Sequence, residues 1–149
     1  MMLKKRKVLF EWLFWGYVFF TLFITLFTHN YYTYGQSSNL MLLSSLHLIL
    51  TSGDGLLILK NIFGNVALFV PFGFLLPLIW KKRAAFYWTL LFAFLMSFSI
   101  EACQYFFAER IFDVDDILLN VTGALIGRCF LAVCRFFIRK VIFFYSNGS

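Results

Sequence analysis

Apolar residues occur along the chain in four long runs that short polar segments separate. The runs cover residues 8–28, 56–80, 84–107 and 116–138. A helix needs about 20 mostly apolar residues to cross the hydrocarbon core of a bilayer, and each run has that length. The pattern therefore predicts an all-α fold, a polytopic bundle with four transmembrane helices.

Two features interrupt this simple pattern. The polar segment at 29–55 encloses an apolar stretch at residues 40–50 that is too short to span a membrane. We expect this stretch to lie along the outer membrane interface, or to enter the membrane as a short helix. The second long run contains Pro71 and Pro77, each of which removes a backbone donor, so we expect a kink or a break there.

Composition explains why the apolar runs cannot all be buried in one soluble core. The 149 residues are 62% hydrophobic and 13% charged, whereas soluble domains are typically about 25% charged. A chain this short cannot enclose so much apolar surface, so the excess must face lipid. No linker-like composition divides the chain, and we predict a single membrane domain over residues 1–149.

The net charge of +6 is distributed in a way that predicts an orientation. Basic residues fill positions 4–7 and 81–83, and Arg135, Arg139 and Lys140 lie at the end of the last run. An even number of spans places all three groups on one side, and the positive-inside rule makes that side the cytoplasm. We expect a multi-pass protein of the cell membrane with both termini cytoplasmic. Because the charges flank apolar runs, nucleic-acid binding is not expected.

Polar side chains gather at the opposite end of the predicted bundle. Amide and ionisable groups inside a span are costly and indicate a functional site by default. Spacings of three or four residues place them on shared faces of the second, third and fourth helices. The set comprises Asn61, Asn65, Glu101, Gln104, Arg110, Asp113, Asp115, Asp116 and Asn120. We predict that these residues form an outward-facing ligand-binding pocket.

Structural explanations exist for the same residues. The three aspartates precede a helix, where carboxylates cap free backbone N–H groups. An ion pair between Glu101 and Arg110 would join the third helix to the turn that follows it. The asparagines would form hydrogen bonds between helices. In the fourth run Gly123 and Gly127 have the G-x-x-x-G spacing that lets helices approach closely.

Three motifs in this region resemble the signature of VanZ-like membrane proteins. The second run carries N-x-x-x-N-x-x-x-F-x-P-x-G, formed by Asn61, Asn65, Phe69, Pro71 and Gly73. The third run carries E-x-x-Q, and an arginine followed by D-x-D-D-x-x-x-N leads into the fourth. Order and spacing agree over residues 56–130. The resemblance implies a small helical membrane protein of bacteria, and the founding member of that family is linked to resistance to the lipoglycopeptide teicoplanin.

The position of the polar set favours binding of a head group. We expect it to hold a membrane lipid or a lipid-linked cell-envelope molecule, such as an envelope precursor or a lipoglycopeptide. The guanidinium of Arg110 suits phosphate, and the asparagine amides suit sugar or phosphate oxygens. The acyl chains would lie against the phenylalanine-rich helix faces.

Two other function classes stay open. In the first, the chain is a hydrolase or transferase for a glycan or phosphate linkage, with Glu101, Asp113 and Asp116 as candidate catalytic acids and bases. Alternatively, Asp113, Asp115 and Asp116 would hold Mg²⁺ or Ca²⁺ through oxygen ligands. No His or Cys spacing indicates a metal site, and the pattern leaves the cofactor and the oligomeric state open. In the second class, the chain is a structural or partner-binding membrane subunit.

Overall fold

The computed structural model describes residues 2–27, 38–80, 85–107 and 110–147. Helices dominate these residues, and two very short strands join distant parts of the chain. In order, the elements are α1 (Met2–Phe27), β1 (Ser38–Asn39), α2 (Ser44–Thr51), α3 (Gly55–Ile58), a π-helical turn (Leu59–Phe63), α4 (Gly64–Ile79), α5 (Phe86–Phe107), β2 (Phe112–Asp113) and α6 (Val114–Asn147).

Four helical segments in the described residues are long and apolar enough to cross a membrane, which confirms the predicted all-α fold. They are Lys7–Phe27, Gly55–Ile79, Phe86–Phe107 and Val114–Tyr145. The first three agree with the predicted spans to within two residues, apart from residues 28 and 84, which lie outside the described residues.

The helix that contains the fourth predicted span continues beyond the predicted end of that span at residue 138. In the structure α6 has 34 residues, or about 51 Å at about 1.5 Å per residue. That length exceeds the hydrocarbon thickness of about 30 Å. The prediction took Arg139 and Lys140 as the end of the helix. Basic residues are favourable near a helix carboxyl terminus, and no helix-breaking residue follows before Gly148.

The second span contains an irregular turn, which lies before its prolines. The helix α4 is continuous through Pro71 and Pro77, so the predicted break there is wrong. Neighbouring helices can compensate for the donors that proline removes within a membrane. The irregularity lies earlier, in the π-helical turn Leu59–Phe63 between α3 and α4. Such turns are rare and occur often at functional sites.

Close packing of α4 against α6 forms the centre of the bundle. A Cβ atom placed on Gly123 would overlap the backbone of Val66, and one on Gly127 would overlap the backbone of Val70. The predicted close approach at these two glycines is confirmed. Gly73 on α4 makes the reciprocal contact, because its Cβ would overlap the backbone of Ala124.

An apolar core joins α1 and α5 to this central pair. Its buried members include Phe14, Phe69, Phe72, Ala93 and Ile100. Tyr17 on α1 donates a hydrogen bond of 2.7 Å to the backbone carbonyl of Leu68 on α4. Much of the remaining apolar surface is exposed, as a lipid environment requires: Trp12 is 74% exposed and Phe107 is 85% exposed.

The described part of the loop between the first two spans contacts the start of α6 through residues 38–46. The strand β1 pairs in parallel with β2, with Ser38 beside Phe112 and Asn39 beside Asp113. The helix α2 follows, so the short helix expected within residues 40–50 is present at Ser44–Thr51. We call residues 38–51 the cap segment, because they lie over the amino-terminal end of α6.

The glycine contacts yield a test of the central packing. Gly127→Ala should lower the unfolding free energy by about 1–3 kcal/mol or more, because the added methyl group meets backbone that cannot rotate away. Thermal unfolding of the purified protein in detergent measures this change. Gly16→Ala is the matched control: it lies within α1 with open space around it, and alanine is the better helix former by about 1 kcal/mol. Equal melting temperatures for the two variants would contradict the packing.

Candidate functional site

Asp115 holds the cap segment in place. Its side chain is 1% exposed. One carboxylate oxygen accepts a hydrogen bond of 2.6 Å from the Leu43 backbone N–H, and the other accepts one of 3.2 Å from the Leu46 N–H. These are donors at the start of α2, which a helix leaves without internal partners. Asp115 therefore caps a helix 72 residues away in sequence, and not the helix in which it lies.

Asp113 joins the same two parts of the chain. Its Oδ1 accepts from the backbone N–H of Asp115 at 2.9 Å, which caps α6, and from the Asn39 amide at 3.3 Å. Its Oδ2 accepts from the hydroxyl of Ser45. The capping role considered for the aspartates is thus confirmed for Asp113, and the same side chain also binds the cap segment.

Asp116 connects α6 with α4. Its Oδ1 accepts a hydrogen bond of 2.6 Å from the Asn65 side-chain amide. Asn61 does not join this contact: its amide donates to the Leu57 carbonyl of its own helix at 2.9 Å. The π-helical turn contains Asn61, so the regular α-helical spacing that would align it with Asn65 is interrupted there.

Glu101 is buried, and its nearest polar partner is backbone. The side chain is 3% exposed, and its Oε2 accepts a hydrogen bond of 3.2 Å from the Asp113 N–H. The ion pair considered between Glu101 and Arg110 is not formed. Within the described residues the only ion pair is Lys7–Glu11, at 3.3 Å.

Gln104 and Arg110 both bind the end of α1. The Gln104 amide donates to the Thr25 carbonyl at 2.8 Å, and the Arg110 guanidinium donates to the same oxygen at 3.4 Å. Thr25 lies in the last turn of α1, where carbonyls lack partners within the helix and a positive charge is favourable. This contact fastens the first span to the polar end of α5.

Asn120 lies one helical turn after Asp116 on α6. It is 4% exposed, and its amide nitrogen donates to the Ser97 hydroxyl at 2.9 Å. Ser97 itself is 0% exposed and lies one turn from Glu101 on the same face of α5. Among the described residues, the carbonyl oxygen of Asn120 is buried without a hydrogen-bond partner.

The sequence reasoning missed several partners of the cluster, among them Thr25, Asn39, Ser45 and Ser97. Ser97 precedes Glu101 by four residues, so helical spacing could have identified it. Thr25 contributes a backbone oxygen, which has no signature in the sequence. Asn39 and Ser45 reach the site only through the folding of the loop.

The aspartates do not converge as a metal site. Among the described residues, no group of three or more His, Cys, Asp or Glu side chains could hold a metal ion. Both carboxylate oxygens of Asp113 and of Asp115 already accept hydrogen bonds, so their lone pairs point at N–H and O–H donors. This arrangement argues against the Mg²⁺ or Ca²⁺ hypothesis. The catalytic alternative with Glu101, Asp113 and Asp116 does not depend on a metal and stays a prediction.

Comparison with known families gives a clear result. The family model described as VanZ/LLP1 matches residues 14–137, which is most of the chain. The chain belongs to the VanZ/LLP1 family. The matched region includes every residue of the polar set and all four candidate spans in whole or in part, so the chain is a multi-pass VanZ-like membrane protein. No curated protein and no solved structure shows a significant match.

The capping by Asp115 leads to a local prediction. In Asp115→Ala the Leu43 and Leu46 N–H groups lose their acceptor, and loss of a cap costs about 0.5–2 kcal/mol. Hydrogen–deuterium exchange should therefore become faster across the cap segment. Asp54→Ala is the matched control, because Asp54 caps Leu56 and Leu57 at the start of α3. Faster exchange of the cap segment in the control, or unchanged exchange in Asp115→Ala, would contradict the assignment.

Proposed function

We propose that the polar end of this VanZ-like protein binds the head group of a lipid or lipid-linked cell-envelope molecule. The head group would combine a phosphate with hydroxyl groups, as a lipid-linked sugar phosphate does. In this proposal the polar end faces outward and both termini are cytoplasmic, in keeping with the basic residues at positions 4–7 and 81–83.

The proposal rests on the absence of an ion pair between Glu101 and Arg110 among the described residues. A purely structural clasp would pair the two charges directly, because a buried charge without a partner is costly. Instead, among the described residues, the Glu101 side chain accepts one hydrogen bond, from a backbone N–H, and the Arg110 guanidinium makes one long hydrogen bond to a carbonyl. A guanidinium has five N–H donors. Both groups therefore keep hydrogen-bonding capacity that a bound molecule can use.

The remaining polar atoms suggest which chemistry fits. Asp116 has one oxygen bonded to Asn65, and the carbonyl oxygen of Asn120 is buried without a partner in the described residues. Together with Glu101, these groups accept hydrogen bonds, which suits the hydroxyls of a sugar. Arg110 supplies the donors, which suit a phosphate.

The surroundings suit an amphiphile. The cluster lies at the ends of α1 and α5 and at the starts of α4 and α6, where head groups meet acyl chains in this proposal. Phe106 and Phe107, next to it on α5, are 68% and 85% exposed, so apolar surface for a lipid tail is adjacent. Asp113 and Asp115 have a different part in this proposal: they position the cap segment over the site.

A second candidate function follows from the same contacts. Gln104, Arg110, Asp113 and Asp115 each connect separate elements, as expected of a structural or partner-binding subunit. In that case their loss would lower the stability of the fold and would not change the binding of any lipid. Measuring stability beside binding distinguishes the two.

Equilibrium binding to the purified protein tests the lipid proposal. The probes are a radiolabelled polyprenyl-phosphate sugar and the same lipid phosphate without sugar, with teicoplanin as a competing lipoglycopeptide. Arg110→Gln should weaken binding of both probes roughly tenfold to a hundredfold, because a hydrogen bond to a charged group contributes about 1.5–3 kcal/mol. Glu101→Gln should weaken binding of the sugar-bearing probe more than that of the bare phosphate.

Lys60→Gln is the matched control, because it removes an exposed positive charge from the π-helical turn in the same half of the second span. Its binding should equal that of the unaltered protein. Equal losses of binding in Lys60→Gln and Arg110→Gln would show that the effect is general charge attraction and would contradict a specific site at Arg110. Lower melting temperatures with unchanged binding would favour the structural candidate.

A further inference from the structure

An apolar groove lies at the end of the bundle opposite the polar cluster. Its volume is about 950 Å³, within the range of about 300–1,000 Å³ that ligand sites occupy. Helix α1 forms one wall with Trp12, Trp15 and Val18, and α5 forms the other with residues including Phe92. Residues of α4, among them Leu76, form the floor.

The helices α1 and α5 are joined at the polar end and separated by the groove further along. At the polar end, Gln104 donates to the Thr25 carbonyl. Towards the amino terminus of α1, the groove separates the two helices and α4 lies behind it. None of the residues that line it belongs to the polar cluster, so the groove is a separate site.

The length of the groove matches one leaflet of a bilayer. Along α1 it extends from Lys7 to Val18, which is about 16 Å at about 1.5 Å per residue. Half of the hydrocarbon core is about 15 Å thick. A groove of that length, lined mostly by apolar side chains, has the length of an acyl chain that ends near the middle of the membrane and is wide enough to admit it.

The mouth of the groove is suited to an anionic head group. Lys7 lines it, and the sequence places basic residues at positions 4–6 before it and 81–83 directly after Trp80, another lining residue. One acidic residue, Glu11, also lines the groove, and it forms an ion pair of 3.3 Å with Lys7. Trp12, Trp15 and Trp80 are the residue type that anchors proteins at head-group level.

We propose that this groove binds one acyl chain of an anionic glycerophospholipid, with the lipid phosphate beside Lys7. The bound lipid fills the space between α1 and α5 that the contact at the polar end leaves open. It belongs to the leaflet at the basic end of the protein, and its binding does not depend on the proposed function of the polar cluster.

Native mass spectrometry of the full-length protein in detergent tests this proposal. The protein is incubated with equal amounts of phosphatidylglycerol and phosphatidylcholine that carry the same chains. We expect one phosphatidylglycerol to be retained in preference to phosphatidylcholine. Lys7→Gln should lower this preference about fivefold, the effect of one basic side chain at an anionic membrane surface. Glu11→Gln should raise it, because it releases Lys7 from its ion pair.

Two controls make the outcome specific. Lys140→Gln removes a basic residue that does not line the groove, so the preference should be unchanged. Ser99→Phe fills the groove from α5 and should abolish retention, whereas Ala132→Phe on the exposed surface of α6 should not. The proposal is overturned if both lipids are retained equally, or if Lys7→Gln and Glu11→Gln leave the preference unchanged. The charge variants are exposed and keep the test valid if Ser99→Phe does not fold.

Discussion

The contact between α4 and α6 is the constraint on which the rest of the structure depends. In a membrane, helices gain little from excluding water, so association relies on close packing and on hydrogen bonds between helices. Gly73, Gly123 and Gly127 allow the two backbones to touch. That approach brings Asn65 to Asp116 and fixes the start of α6, to which the cap segment is bound. Without this helix contact, the polar residues of α4 and α6 would not lie together.

The polar cluster satisfies a second constraint, which is the cost of unpaired polar groups away from water. Each element contributes donors or acceptors to another: Asp115 to α2, Gln104 to α1 and Asn120 to α5. These hydrogen bonds explain how so many polar side chains can lie within or beside apolar spans. They also show that Glu101 and Arg110 keep unused hydrogen-bonding capacity. The proposed head-group site uses this capacity.

Much of the fold and part of the site could be predicted from local patterns. The spans, the close packing at Gly123 and Gly127, and a short helix in the first loop follow from length, spacing and composition. The ion pair between Glu101 and Arg110, considered as a structural alternative, is not formed among the described residues, where Arg110 binds the end of α1. The alignment of Asn61 with Asn65 was expected from an ideal helix, and the π-helical turn interrupts it.

By itself, the sequence determined that the chain has four helices able to cross a membrane and a polar end opposite a basic one. Hydrophobic length and charge are local properties, and a bilayer selects on them directly. Only the tertiary structure decided which polar atoms meet. Asp115 caps a helix far away in sequence, and the Thr25 carbonyl receives two side chains. Both contacts use backbone atoms, which every residue carries, so their partners are set by the folded arrangement of the chain and not by residue type.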